Sequence, residues 1–200
     1  MKLSNRFTFT RIILSPVFFL IYFLPIWLQN AVAAKISVFI SIPLLAFMEF
    51  TDYLDGHYAR KYNEVSDFGK LFDPFADVMV HLATFLCFMF TFGNYGGYLY
   101  PVIFILILYR EMTQNFLRMV AASKGTAIAA RKGGKIKTVG YVISGFYALF
   151  LESLVRLDMV PACFGALKII SLVLFIICVI ASYASFIDYL IHFGKILKAE

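Results

Sequence analysis

Six long apolar runs constrain this chain more than any other feature. They lie at about 9–28, 32–53, 75–92, 98–117, 139–155 and 163–191. A helix of about 20 apolar residues spans the hydrocarbon core of a bilayer. Within lipid every backbone polar group must be satisfied internally, which makes runs of this length helices. The sequence therefore predicts an all-α integral membrane protein: one domain over residues 1–200, built as a six-helix transmembrane bundle. The sixth run is long enough to tilt or to extend past the bilayer. Composition agrees. The chain is 62% hydrophobic and 15% charged, where soluble domains run roughly 45–50% and about 25%. The 23 Phe and 12 Tyr exclude a disordered chain. The first run is too long for a cleavable signal peptide, and no small-residue cleavage site follows it. Cys87, Cys163 and Cys178 lack metal-ligand spacing and lie in or beside apolar runs, so they read as buried fillers. Trp27 and the tyrosines near run ends (Tyr22, Tyr53, Tyr95, Tyr98, Tyr100, Tyr109) read as interfacial anchors.

Charge sets the orientation. With the N-terminus on the cytoplasmic side, 15 of the 18 basic residues fall on that side, and only Lys35, Arg156 and Lys168 fall on the other. The positive-inside rule then places both termini in the cytoplasm. The partner environment is a lipid bilayer, and no nucleic-acid partner is expected.

The acids are bunched. Seven of the twelve lie between Glu49 and Asp77, and with three bases among them this stretch is net −4 within a chain of net +6. Carboxylates at membrane depth are costly and mark function by default. Asp52 and Asp55 are three apart at the cytoplasmic end of the second run; Asp73 and Asp77 are four apart at the start of the third. Helical spacing puts each pair on one face, so two adjacent antiparallel helices should present four carboxylates to each other at one depth. Such charges repel by several kcal/mol in a partly dry site unless they bind protons or a cation. All-oxygen ligands suit Mg²⁺, Mn²⁺ or Ca²⁺ rather than zinc, and four carboxylates suffice for a two-metal site acting on a phosphoryl group. Gly56 and Gly69 leave room for a close approach to the backbone, Ala59 is small, and Arg60 can grip a phosphate with its fork. A cation transporter is the competing reading. It fits less well, because the acids lie at one membrane face rather than at the midplane where transporter sites form.

The stretch reads Asp52-x2-Asp55-Gly56-x2-Ala59-Arg60-x8-Gly69-x3-Asp73-x3-Asp77. It resembles the signature of the CDP-alcohol phosphotransferases, with all eight positions filled at the family's spacing. The resemblance implies six membrane helices, a CDP-linked donor, an alcohol acceptor, release of CMP, and dependence on Mg²⁺ or Mn²⁺ as two bound ions. It implies that Asp52, Asp55, Asp73 and Asp77 hold metal, with Asp77 also the general base on the acceptor hydroxyl. It further implies that Gly56, Ala59, Arg60, Ser66 and Gly69 hold the donor. The N-terminal Asn5-x2-Thr8-x2-Arg11 is similar to the opening of the family branch that joins CDP-diacylglycerol to glycerol 3-phosphate in bacterial inner membranes. Asn5 and Thr8 are therefore assigned to the donor as well. Arg110-Glu111, Arg118 and Gly134-Lys135-Ile136-Lys137-Thr138 resemble later motifs of the same branch. The likeness covers about the first 140 residues. Beyond them the chain is similar to the family only in being apolar. The family also implies a homodimer, and the branch an active site on the cytoplasmic side.

The bases fit an anionic acceptor. Arg110 to Lys137 holds seven bases and one acid, Glu111, a net of +6. Arg110 and Arg118 are two turns apart and can face one pocket. Lys135 and Lys137 open the fifth run, where a helix N-terminus also favours an anion. These four are the expected grip on the acceptor phosphate, while Lys124, Arg131 and Lys132 read as charge over anionic lipid. Between Arg110 and Arg118 the chain is more polar than the branch pattern. Gln114 and Asn115 could contact extra hydroxyls, which keeps inositol phosphate open as the acceptor. His57, His81 and His192 are scattered and carry no assigned role.

Overall fold

The computed structural model describes the backbone of residues 3–61, 67–125 and 132–198, with side chains except at 3–5, 55–61, 67, 70, 132–133, 135 and 194–198. Six α-helices follow one another: α1 Leu3–Leu28, α2 Ala31–Lys61, α3 Asp67–Cys87, α4 Pro101–Ser123, α5 Lys132–Arg156 and α6 Phe164–Lys198. Among the described residues there is no strand. Four stretches are long and apolar enough to cross a membrane: Arg6–Leu28, Ala31–Leu54, Ile136–Arg156 and Phe164–Phe193. The other two helices do not qualify on composition. α3 carries Asp73 and Asp77, and α4 carries Arg110, Glu111 and Arg118.

The helix bounds depart from the apolar runs. A run ends where lipid ends, but a helix continues while its backbone bonds do. α2 and α4 therefore extend past their runs, and α5 begins before its own. α3 instead stops at Cys87, five residues before its run ends. The Phe88 carbonyl accepts the N–H groups of Tyr98 (2.8 Å) and Leu99 (3.2 Å), which folds residues 88–100 into a compact connection. Gly97 is required there, since a Cβ would lie 2.4 Å from the Met89 carbonyl oxygen. Pro101 then opens α4, where its missing N–H costs nothing.

Only Gln29 and Asn30 separate α1 from α2. Gln29 takes a left-handed conformation (φ 50°), and the Asn30 side chain caps α2 by accepting the Ala33 N–H at 2.9 Å. The two helices therefore run antiparallel. α1 packs closely on both α2 and α3, which touch each other much less. The core between helices is aromatic, with Phe18, Tyr22, Phe85, Phe88, Tyr141 and Phe175 fully buried. Large apolar side chains also cover the outside of the bundle, among them Phe39, Val102, Ile180 and Ile191. A water-facing surface rarely carries so much exposed apolar area, and a lipid-facing one does.

A buried charged knot ties α1, α2, α5 and the 88–100 connection together. Glu152 accepts hydrogen bonds from Arg156 Nε (2.6 Å), Tyr98 Oη (2.9 Å) and the Phe92 N–H (3.0 Å). Arg156 also donates to Ser37 Oγ (2.6 Å) and the Tyr22 carbonyl (3.0 Å), and lies 4.3 Å above the Tyr22 ring. This corrects three sequence readings. Arg156, counted from the sequence among the three bases outside the cytoplasmic side, is an internal residue. Tyr22 and Tyr98 are buried partners of the knot rather than interfacial anchors. Tyr53, Tyr95, Tyr100, Tyr109 and Trp27 are exposed, as anchors would be. Cys163 is exposed too, whereas Cys87 and Cys178 are buried as expected. The remaining two bases of that end are held locally: Lys35 pairs with Asp158 at 2.8 Å, and Lys168 donates to the carbonyls of Tyr95 and Gly96.

Candidate active site

The acids gather around α1. Thr8 Oγ1 donates to Asp73 Oδ1 at 2.7 Å. Arg11 Nη1 donates to both Asp52 Oδ1 (2.7 Å) and Asp77 Oδ1 (2.5 Å). Further along, Ser15 Oγ donates to the Met79 carbonyl. Residue numbers rise together in the α1–α3 pairs, so these helices are parallel. They fall against each other in the Arg11–Asp52 contact and in the Tyr22 and Ser37 contacts to Arg156, so α1 and α2 are antiparallel. The i, i+3 spacing of Thr8 and Arg11 matches the i, i+4 spacing of Asp73 and Asp77, which lets one helix face meet the other.

The expected geometry is corrected in one respect. α2 and α3 do not present their acids simply to each other: α1 supplies a guanidinium to an acid of each. Arg11 is 2% exposed, and its charge offsets the repulsion between Asp52 and Asp77. Burial pushes the Asp73 carboxyl above its ordinary value, against the opposing pull of the Thr8 hydroxyl and Arg11. His81, one turn beyond Asp77, donates through Nδ1–H to the Asp77 carbonyl (2.7 Å), with Nε2 3.8 Å from Glu49 Oε1. Gly69 is buried one turn before Asp73.

The donor set of Asp52, Asp73 and Asp77 is all carboxylate, the chemistry of a hard divalent cation, and two of the three already share one cationic group. Among the described residues no three His, Cys, Asp or Glu side chains converge closely enough to hold a metal alone. The side chains of Asp55, Gly56, Ala59 and Arg60, together with Asn5, Ser66 and Lys135, lie outside those described.

The bases form a second cluster beside the acids. Glu111 Oε1 accepts from Arg110 Nη1, Lys137 Nζ and Tyr141 Oη, each at 2.9 Å. Arg110 Nε donates to the Ser182 carbonyl of α6 at 2.9 Å. Arg118 and Lys137 both lie within electrostatic reach of Asp77. The structure thus brings Arg110, Arg118 and Lys137 around one region and adds Glu111 as the acid that sets two of them. Sequence reasoning gave no role to Arg11, Glu111, His81 or Tyr141. A buried base in a first apolar run was the available signal for Arg11.

An eight-position acid signature, placed on helices of this order, defines a class of membrane transferase. The chain belongs to the CDP-alcohol phosphatidyltransferase family, which it matches over residues 1–184. The family is generally dependent on a divalent metal. Among its relatives, CDP-diacylglycerol–glycerol-3-phosphate 3-phosphatidyltransferase of Treponema pallidum (strain Nichols) is 34% identical over 203 residues, covering 99% of this chain and 92% of the relative. The protein of that name from Bacillus subtilis (strain 168) is 35% identical over 163 residues, covering 76% and 78%. The one from Aquifex aeolicus (strain VF5) is 29% identical over 200 residues, covering all of both chains.

Proposed function

We propose that this chain transfers the phosphatidyl group of CDP-diacylglycerol to a hydroxyl of sn-glycerol 3-phosphate, forming phosphatidylglycerophosphate and CMP. One observation carries the reading. Asp77 shares the Arg11 guanidinium with Asp52 and also lies within electrostatic reach of the bases Lys137 and Arg118. A carboxylate so placed serves a proton-transfer step between a pyrophosphate site and an anion site. The names of the relatives supply the same donor and acceptor.

In this reading Thr8, Gly56, Ala59, Arg60, Ser66, Gly69 and Asn5 hold the donor. Asp52, Asp55, Asp73 and Asp77 hold Mg²⁺ or Mn²⁺, as two ions. The metal, when bound, neutralises the pyrophosphate and stabilises the departing phosphate. Arg110, Arg118, Lys135 and Lys137 take the acceptor phosphate and turn its hydroxyl toward Asp77. The hydroxyl oxygen forms a bond to the β-phosphorus, and its proton passes to the Asp77 carboxylate. The bond from that phosphorus to the bridging oxygen breaks, and the oxygen leaves with CMP. Six helices cross the bacterial inner membrane with both termini and the active site on the cytoplasmic side, and the chain works as a homodimer.

A CMP-release assay on the purified protein tests this, using CDP-diacylglycerol, Mg²⁺ or Mn²⁺ and a panel of acceptors. Glycerol 3-phosphate should release CMP. Release with no acceptor in the panel sinks the reading, and release with inositol phosphate alone sinks the acceptor. Asp77→Asn should abolish turnover while sparing donor binding; retained turnover removes Asp77 as the base.

A further inference from the structure

Among the described residues, four buried polar atoms along α4 and α6 have no hydrogen-bond partner: Gln114 Nε2, Asn115 Nδ2, Arg118 Nε and Tyr189 Oη. The residues are deeply placed, with Gln114 and Tyr189 4% exposed and Asn115 9% exposed. An orphaned buried amide is destabilising, and native interiors keep few of them. Here they fall in register. Arg110, Gln114 and Arg118 recur at i, i+4 on the stripe of α4 that meets α6, where Arg110 bonds the Ser182 carbonyl and Ala121 packs on Tyr189. Asn115 stands one turn beyond Glu111, on the side that meets Lys137 and Tyr141 of α5. The two carboxamides therefore lie between the bases at either end of the stripe.

Orphaned N–H groups call for an acceptor oxygen. The flanking bases Arg110 and Lys137 are already bonded to Glu111, whereas the carboxamide nitrogens and Arg118 Nε find no acceptor among the described residues. A ligand with its phosphate on the bases and its reacting hydroxyl toward Asp77 would pass its middle carbons along this row. From this placement we infer that Gln114 and Asn115 bind a second, non-reacting hydroxyl on the acceptor's carbon chain, making the site selective for phosphorylated polyols over phosphorylated simple alcohols. The inference rests on the phosphate-bearing acceptor of the proposed function. It adds the residues that measure the acceptor's hydroxyl pattern. A site whose buried donors are left unpaired by an analogue rejects that analogue strongly.

The test compares sn-glycerol 3-phosphate with 3-hydroxypropyl phosphate, which lacks only the middle hydroxyl, in the CMP-release assay on the full-length protein. The wild type should favour glycerol 3-phosphate by at least about 10-fold in kcat/KM. Gln114→Met and Asn115→Leu, each near the parent volume, should pull that ratio toward one. A wild-type ratio below about 10-fold overturns the inference, and so does a ratio kept intact in both folded variants. If either variant does not fold, the wild-type ratio decides alone. CMP release with neither acceptor fails the phosphate-acceptor reading itself. Equal release with both fails only the role given to the two amides.

Discussion

Removing one side of the Glu152–Arg156 knot should cost far more than removing both. Arg156→Met keeps most of the aliphatic stem but deletes three hydrogen bonds, to Glu152, Ser37 and Tyr22, and the ring contact above Tyr22. It leaves the Glu152 carboxylate fully buried with, among the described residues, only the Tyr98 hydroxyl and Phe92 N–H as donors. Breaking a buried pair in this way costs about 3–5 kcal/mol, a large part of the roughly 5–15 kcal/mol that holds a domain folded. Glu152→Gln alone leaves the converse lesion, a buried guanidinium without its carboxylate, at about the same cost. The double variant buries no charge, and its Gln side chain can still accept from Tyr98 or Phe92. It should therefore unfold at least about 2 kcal/mol less readily than the sum of the singles implies. Denaturant titration in detergent micelles, followed by near-ultraviolet circular dichroism, measures all four corners of the cycle. Activity below the transition should survive, since fifteen helical residues put Glu152 about 22 Å from Lys137. Additive singles, with coupling under about 0.5 kcal/mol, would refute the claim that the two charges stabilise each other.

Three further substitutions separate parts that hold the fold from parts that do not. Arg11→Met removes the group shared by Asp52 and Asp77; its melting temperature should fall in chelator and rise more steeply with added Mg²⁺ than the wild type's, and an identical Mg²⁺-induced shift would show that Arg11 does not offset those acids. Gly97→Ala should destabilise by about 2 kcal/mol or more, because its new Cβ meets the Met89 backbone, whereas Lys35→Ala should change stability by under about 1 kcal/mol, its pair with Asp158 being half-exposed. Equal effects of the two in the same unfolding measurement would contradict the packing described for the 88–100 connection.

Periodicity and apolar length revealed the helices because lipid acts on every residue of a span alike. The acid cluster was legible for a similar local reason. Asp52 with Asp55, and Asp73 with Asp77, stand at spacings that one face of each helix explains. What those acids touch was not legible. Arg11 meets partners 41 and 66 residues away, and no spacing within one segment encodes such a meeting. Tyr22 and Tyr98 were misread for the same reason. A tyrosine at a span end satisfies its hydroxyl equally well at the lipid surface or on a buried acceptor, and only the arrival of a distant segment decides between them: Glu152 of α5 for Tyr98, the Phe90 carbonyl for Tyr22. The stop of α3 at Cys87 hid behind continuing hydropathy, since Phe88 to Phe92 remain apolar while their backbone turns away.

The contacts of Arg11 also bear on the order in which the protein is assembled. Ribosomes deliver α1 before α2 and α3, and at that moment neither acid that will flank its guanidinium has been synthesised. An arginine near the end of a membrane helix then settles at the lipid surface, where its long stem lets the charge reach water. Asp52 arrives 41 residues later and Asp77 66 residues later. α1 can therefore enter the bilayer early, but its final depth and rotation are fixed only after α3 has emerged. A helix made before α2 and α3 is seated only after both.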